Sequence, residues 1–222
     1  MPRQGQVAPE GWAVIGTAAA VFGVVAVVGT AAGHPASLVP LALGVGFCVY
    51  FFRDPERETP SDPRDVVSPA DGRVIDVSPV REELFLHARA TKVSIFMSPL
   101  DVHVNRSPVD GRIAAIQHTA GKFRAAFHDK ASLDNERTAM VVENRAGRFL
   151  VVQIAGALAR RIVCRRTVGD TLGRGERYGL IMFGSRVDVY LPEGVVPAVT
   201  KGDRVHAGSS VLARLPENPC HR

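Results

Sequence analysis

A serine set into a predicted strand is the residue of this chain whose surroundings most suggest chemistry. In the stretch "IMFGSRVDVYLPEG" (181–194), an apolar run precedes Gly184-Ser185, and apolar and polar residues alternate after it. Glycine inside a strand weakens it and often marks a bulge or a close approach of another backbone. The hydroxyl of Ser185 is then either a surface group or a nucleophile, and as a nucleophile it needs a neighbouring base.

His103, in the stretch "SPLDVHVNRSP" (98–108), is the natural candidate for that base. An imidazole titrates near neutral pH and suits proton transfer. Asp101 is a candidate orienting group, because residues i and i+2 of a strand share a face. Taken alone, a strand histidine is more often a surface residue, so these residue types by themselves leave the role of His103 open.

Short β-type runs separated by Gly, Pro and Asp make up the chain from about Thr59 onward. Their spacing predicts a mainly β (α+β) fold, with an antiparallel barrel-like or sandwich-like domain. One short helix is predicted over residues 156–166. The predicted strands are 72–80, 92–98, 111–117, 138–144, 148–156, 179–183 and 186–191.

Two stretches of this region resemble each other, "SPADGRVIDV" (68–77) and "SPVDGRIAAI" (107–116). Each predicts a tight turn followed by a strand, and Asp110 is assigned a turn role only. Farther on, "KGDRVHAGSSVLARL" (201–215) resembles the half-barrels of biotinyl and lipoyl carrier domains. A non-catalytic membrane adaptor built on such a barrel is therefore an alternative to an enzyme.

The N-terminal residues 1–52 predict a membrane-associating helical hairpin. Trp12 to Ala32 is a stretch of 21 residues without a charged side chain, long enough to span a bilayer, and a second apolar run covers Leu38 to Phe52. Basic residues outside both ends favour a hairpin with both ends in the cytoplasm. A re-entrant or interfacial hairpin is an alternative, because the second apolar run is short for an independent span. A signal peptide is the alternative, but a second apolar run directly after the first argues against it.

The net charge limits the classes of binding partner, and the cysteine spacing limits the possible disulfide and metal sites. The net charge of +5 favours an anionic partner, and because the chain has no nucleic-acid-binding motif, a membrane is preferred over nucleic acid. Cys48, Cys164 and Cys220 are widely spaced and predict neither a disulfide framework nor a metal site.

Three stretches together are similar to the phosphatidylserine decarboxylase family in its short bacterial and archaeal form. They are "VSPADGRV" (67–74), "FMSPLDVHVNRSPVDG" (96–111) and "FGSRVDVYLP" (183–192). With "LDNERT" (133–138) and "QIAGALARRIV" (153–163), the resemblance covers nearly all of residues 53–215. It implies that residues 53–222 form a pyruvoyl-dependent decarboxylase domain.

The resemblance implies a cofactor made from the chain itself. Ser185 Oγ would attack the carbonyl carbon of Gly184, and elimination and hydrolysis would leave a covalent pyruvoyl group in place of Ser185. The chain would become a β chain (1–184) and an α chain (185–222). The pyruvoyl group would form a Schiff base with phosphatidylserine, which is decarboxylated to phosphatidylethanolamine.

The resemblance also implies roles for side chains. Asp71 would orient His103 in an Asp-His-Ser relay for self-cleavage, with Asp101 as the other candidate orienting group. Longer members of the family carry a second histidine three positions after the first, where this chain has Arg106, so Arg106 is a supporting candidate. Arg186 replaces the threonine that follows the serine in longer relatives.

The implied partners are phosphatidylserine at the cytoplasmic face of the cell membrane and, within the protein, the α and β chains of one precursor. The oligomeric state is left open. Besides the adaptor, a self-processing enzyme that acts on another amine carboxylate is an alternative, which the apolar hairpin makes less attractive.

Overall fold

The computed structural model of the chain describes residues 7–121, 135–156, 161–182 and 185–216. The chain divides into two compact units, Met1–Glu56 and Arg57–Arg222.

The first unit is a pair of apolar helices joined by a short turn. Helix α1 (Gly11–Ala31) and helix α2 (Leu38–Phe51) flank a 3₁₀ turn at Pro35–Ser37. The two helices contact each other where Gly44 faces the ring of Phe22. Helix α1 is long and apolar enough to cross a membrane, whereas α2 has only 14 residues. The predicted helices are confirmed at nearly the predicted bounds.

The second unit is built of strands. Those that the structure describes are β1 (Asp65–Val67), β2 (Gly72–Glu82), β3 (Ala88–Met97), β4 (Val104–Arg106), β5 (Gly111–Thr119), β6 (Arg137–Asn144), β7 (Gly147–Ile154), β8 (Ile162–Cys164), β9 (Thr171–Leu172), β10 (Arg177–Ile181), β11 (Ser185–Pro192), β12 (Val196–Pro197), β13 (Arg204–Val205) and β14 (Val211–Arg214).

An eight-stranded antiparallel sheet dominates this unit, in the order β13-β2-β3-β11-β7-β6-β5-β9. Two three-stranded sheets accompany it, β1-β14-β12 and β4-β10-β8. The main core contains alternate residues of β11, namely Val187, Val189 and Leu191. The mainly β class is confirmed.

The predicted short helix over 156–166 is wrong for the residues that the structure describes there. Ile162–Cys164 form strand β8, which pairs with β10 in an antiparallel ladder. The helical periodicity of this stretch is weak, and pairing with the buried strand β10 provides hydrogen bonds and packing that cannot be predicted from the local sequence. Residues 157–160 of the prediction lie outside the described residues.

The two similar stretches fold as the same turn. The first turn (residues 68–72) and the second turn (residues 107–111) each have a serine hydroxyl that donates to the carbonyl two residues on, at 2.7 and 2.6 Å. They also bond to each other: the residue before each serine donates its N–H to the proline carbonyl of the other turn, at 2.9 and 3.0 Å. The two turns therefore form a reciprocal pair near the middle of the unit.

Each turn is matched by a nine-residue loop of one design. The first loop (residues 200–208) and the second loop (residues 167–175) each begin with a threonine whose N–H donates to an aspartate three residues later, at 2.7 and 2.9 Å. The last glycine of each loop donates its N–H to the serine carbonyl of its own turn, at 2.7 and 2.8 Å. The unit thus contains two copies of a turn and loop, of which only the two turns were predicted as a repeat from the sequence.

Candidate active site

Ser185 is the first residue of β11 and is completely buried. It pairs with Met97 of β3, and its Oγ lies 3.4 Å from the Met97 sulfur. Because alternate residues of a strand share a face, Ser185 lies on the same side of the sheet as Val187 in the core. Gly184, the other half of the expected cleavage site, lies outside the described residues.

His103 is buried between β3 and β4, with 2% of its surface exposed. Its Nδ1 lies 2.9 Å from the backbone carbonyl of Asp101, and its own carbonyl accepts the N–H of Ile181 at 3.3 Å. Because a carbonyl only accepts hydrogen bonds, Nδ1 carries the proton of the neutral ring, and Nε2 is the basic nitrogen. The fold therefore fixes this ring, at the end of β10, in the tautomer that a base requires.

Asp101 contacts the His103 ring through its backbone carbonyl. Its carboxylate accepts the N–H of Ser98 at 2.8 Å and pairs with the guanidinium of Arg204 at 2.6 Å. These contacts close the turn that leads from β3 to His103. The carboxylate thus holds the turn in shape, and the carbonyl of the same residue holds the ring.

Asp71, in the first turn, is 5% exposed and has three partners. It accepts the N–H of Ala207 at 2.8 Å, pairs with Arg57 at 2.8 Å and lies 3.3 Å from Nδ1 of His206. The described contacts of its carboxylate are therefore with these three residues and not with His103. Whether Asp71 orients His103 stays a prediction.

Arg57 and His206 were not singled out in the sequence for any site. Arg57 lies 14 residues before Asp71 and His206 lies 135 residues after it, so no local spacing could have paired them. The one available signal was the "KGDRVHAG" stretch, which resembles a carrier-domain half-barrel but does not indicate its partner.

Arg106 contacts both loops with its side chain. Its guanidinium donates to the carbonyl of Gly175 at 3.1 Å, and its side chain lies against Gly208. Arg106 therefore touches the last glycine of both loops. At this position the arginine side chain bridges the two loops.

A buried amide network lies beneath Ser185. Nδ2 of Asn105 lies 3.8 Å from the Met97 sulfur and 3.4 Å from the Pro69 carbonyl, and Gln153 donates to Oδ1 of Asn105 at 2.8 Å. The network links the first turn to the methionine that contacts Ser185. Nothing in the sequence distinguished these two amides from ordinary strand residues.

Two other titratable groups of this region are unsuited to act as bases. Burial raises the pKa of Tyr178 well above its usual range, and burial also raises the pKa of the Cys164 thiol. Both groups are therefore neutral near pH 7. Among the described residues, no cluster of three His, Cys, Asp or Glu side chains could hold a metal ion.

Comparison with known proteins identifies the family. A sequence model described as phosphatidylserine decarboxylase matches residues 45–213. The chain belongs to this family. It is 49% identical to the phosphatidylserine decarboxylase proenzyme of Aromatoleum aromaticum over 94% of this chain and 95% of that protein. It is 50% identical to the proenzyme of Ruegeria pomeroyi over 93% and 94%, and 55% identical to that of Nitratidesulfovibrio vulgaris over 76% and 77%.

Family membership confirms the expected enzyme class, a decarboxylating lyase of phospholipid biosynthesis. It also decides against the non-catalytic adaptor, because the match includes the stretches that carry Ser185 and His103 as well as the half-barrel. The relatives are named as proenzymes, which is consistent with a chain that matures by cleavage.

Proposed function

We propose that this chain cleaves itself between Gly184 and Ser185, and that the pyruvoyl group made from Ser185 serves the decarboxylation of phosphatidylserine to phosphatidylethanolamine. The products of cleavage are a β chain (1–184) and an α chain (185–222). The observation that carries the proposal is the complete burial of Ser185 at the first position of a strand. A serine that only ended a surface bulge would be hydrated.

His103 is the proposed base for cleavage. With its proton on Nδ1, Nε2 can accept the proton of the Ser185 hydroxyl. The oxygen attacks the carbonyl carbon of Gly184, the peptide C–N bond breaks, and an ester and a free amine result. Removal of the Cα proton of residue 185 expels the carboxylate of Gly184 and leaves dehydroalanine, which water converts to the ketone with release of ammonia.

The residues around Ser185 fit a small ketone, because residue 185 faces the core and the amide of Gln153 donates to Asn105 close by. The pyruvoyl group supplies an electron sink for the loss of carbon dioxide. His103 Nε2 then holds the proton that the decarboxylated carbon needs. Burial keeps bulk water from this proton transfer.

Asp71 is proposed to support cleavage by fixing the first turn. Its bond to the Ala207 N–H ties that turn to the first loop, and its ion pair ties the turn to Arg57. Through Asn105, the same turn reaches Met97 and hence the strand that pairs with Ser185. Asp101 and Arg106 support the site in the same indirect way, by holding the turn before His103 and the two loops.

The first unit is proposed to place the enzyme on its lipid. Residues 1–52 form the membrane hairpin and residues 53–222 the decarboxylase domain. Helix α1 exposes large apolar side chains such as Val24, Val27 and Val28, which suit a hydrocarbon environment. We place the enzyme at the cytoplasmic face of the cell membrane, since basic residues lie outside both ends of the hairpin.

Intact-mass spectrometry of the purified full chain tests self-cleavage. The wild type should give two chains that end and begin at the Gly184-Ser185 bond, the smaller one lighter by one ammonia than a serine-terminated chain. Ser185→Ala should remain whole, while Ser78→Ala, a strand serine bonded to Asp76, should be cleaved normally. A folded, membrane-bound wild type that stays in one piece would reject the mechanism.

The substrate is tested on the cleaved enzyme. Release of carbon dioxide is compared between vesicles that contain phosphatidylserine and the water-soluble amino acid serine. The proposal expects activity only with the phospholipid. Equal activity on soluble serine would favour the alternative of a related enzyme that acts on other amine carboxylates.

A further inference from the structure

Arg186, the residue directly after Ser185, is one of the most deeply buried residues of the chain. It is 1% exposed although it carries a guanidinium. Its Nε and Nη2 donate to the two carboxylate oxygens of Asp188, at 2.6 and 2.9 Å, and Nη2 also donates to Ser94 Oγ at 2.9 Å. Asp188 and Ser94 are both completely buried.

This ion pair lies on the opposite side of the sheet from the Ser185 hydroxyl. Side chains alternate along a strand, so Arg186 and Asp188 share one face, and Ser185 and Val187 share the other. The guanidinium therefore has no direct contact with the reacting atoms. Any effect on them passes through the backbone of β11.

The pairing of β11 with its two neighbouring strands makes Arg186 well placed to hold the start of β11 in position. Ser185 pairs with Met97 of β3, whereas Arg186 pairs with Phe96 of β3 and also with Ile154 of β7. Arg186 is thus the first residue of the strand with a recorded pairing partner on both sides. Cleavage before residue 185 would turn the start of this strand into a chain end, and chain ends fray unless they are held.

We propose that Arg186, through Asp188 and Ser94, is the positioning residue that keeps the new end of the α chain in register after cleavage. This inference rests on the proposed function. Asp188 would belong to the α chain and Ser94 to the β chain, so the bond between Arg186 and Ser94 would join the two products directly beside the cleavage site.

The chemistry of the contact suits an anchor. A planar guanidinium gripped by both oxygens of one carboxylate has a fixed orientation, which a lysine ammonium would lack. Nη1 of Arg186 is buried without a hydrogen-bond partner among the described residues, so the group is held only from the side of Asp188 and Ser94. Removal of the Ser94 hydroxyl therefore loosens the link between the chains and leaves the ion pair in place.

Ser94→Ala is the decisive variant. Arg186→Met would leave the buried carboxylate of Asp188 without its cation and would destabilise the fold. The matched control is Ser78→Ala, which removes a serine-carboxylate bond on the adjacent strand β2. Three quantities are measured on full-length protein: the extent of cleavage, kcat and KM on phosphatidylserine vesicles, and hydrogen exchange of the α chain's first amides.

For Ser94→Ala we expect complete cleavage, an unchanged KM and a kcat lowered roughly tenfold or more, the range for loss of one hydrogen bond to a charged group. Exchange of the amides of residues 186–188 should accelerate by a similar factor, with the rest of the sheet unchanged. Ser78→Ala should match the wild type in all three measurements.

Unchanged exchange at residues 186–188 with an unchanged kcat would overturn the anchor. So would faster exchange spread evenly over the sheet, because that pattern describes a residue needed only for stability. Failure of the wild type to cleave would instead refute the proposed function, so the two failures are distinguishable.

Discussion

The first and second turns fold alike but treat their aspartates differently. Both occupy the fourth position of a Ser-Pro-x-Asp-Gly turn, and the two turns bond to each other reciprocally. Asp71 is buried and pairs with Arg57, His206 and a backbone N–H. Asp110 is exposed, and the described contact of its backbone is a carbonyl that accepts from Asn144 at 2.8 Å.

The loops explain the difference. The position that His206 holds in the first loop is Gly173 in the second loop, which has no side chain to offer. The next position is Ala207 in the first loop and Arg174 in the second, and Arg174 donates to the backbone carbonyls of Asp65 and Pro60. One copy of the repeat therefore surrounds a buried carboxylate, whereas the other binds backbone carbonyls.

Substitution of the glycine that ends each turn should produce the largest effect, and in both copies. Gly72 and Gly111 have φ values of 154° and 159°, and a Cβ there would lie 2.1 and 2.6 Å from a carbonyl oxygen of the neighbouring strand. Gly72→Ala should lower the free energy of unfolding by roughly 3 kcal/mol or more, and Gly111→Ala by somewhat less.

Thermal unfolding of the two glycine variants in detergent measures the loss of stability, and Gly194→Ala serves as the control. Gly194 has a positive φ of 91° but open space around its Cα, so its cost should be confined to backbone strain. Equal costs for Gly72, Gly111 and Gly194 would contradict the role assigned to the neighbouring carbonyls.

Removal of the aspartate charge should affect the first turn and leave the second turn unaffected. Asp71→Asn weakens the ion pair with Arg57 and the contact with His206, so the first turn loosens and self-cleavage should slow by about a hundredfold, equivalent to the roughly 3 kcal/mol lost when a buried ion pair is broken. Asp110→Asn changes an exposed carboxylate and should be cleaved like the wild type. The measurement is the fraction of cleaved chain over time after synthesis, read by intact mass. Equal rates for the two variants would remove the distinction between the turns.

The contrast between the copies also shows what sequence can predict. Helix α1 (Gly11–Ala31) and strand β11 could be predicted closely. A continuous apolar sequence marks the helix, and alternating apolar and polar residues mark the strand, and both patterns are local. The β8 strand was mistaken for part of a helix, because its pairing with β10 is not written in its own residues. The shared turn was visible because its Ser, Pro, Asp and Gly are each required by turn geometry.

The candidate site divides in the same way. Ser185 and His103 could be selected from residue type and from the family resemblance. The partners of Asp71 could not, since Arg57 and His206 approach it from separate parts of the chain. Burial of Arg186 was equally hidden, because an arginine in a strand is ordinarily an exposed residue.

The smallest expected difference lies at the bulge that follows each turn, where Asp76 of β2 corresponds to Ala115 of β5. Burial opposes ionisation of Asp76, but hydrogen bonds from Ser78 and Lys92 outweigh it and lower its pKa below the usual 3.8. Because this pKa is lower in the folded state, the stabilisation is complete above about pH 4 and disappears as the pH falls through the folded value.

Asp76→Ala, which copies the second repeat, should therefore destabilise the protein at pH 7 and have a smaller effect at pH 2.5. The Asp76 side chain is 39% exposed, so solvent screening limits the loss to under about 1 kcal/mol. Unfolding of the variant and the wild type is compared at both pH values, with Asp110→Ala as the exposed control. A loss that persists at pH 2.5 would show that Asp76 stabilises the bulge through packing and that its charge is incidental. The bulges of β2 and β5 would then differ in packing. A loss of stability confined to pH 7 would instead show that they differ in the ion pair between Asp76 and Lys92.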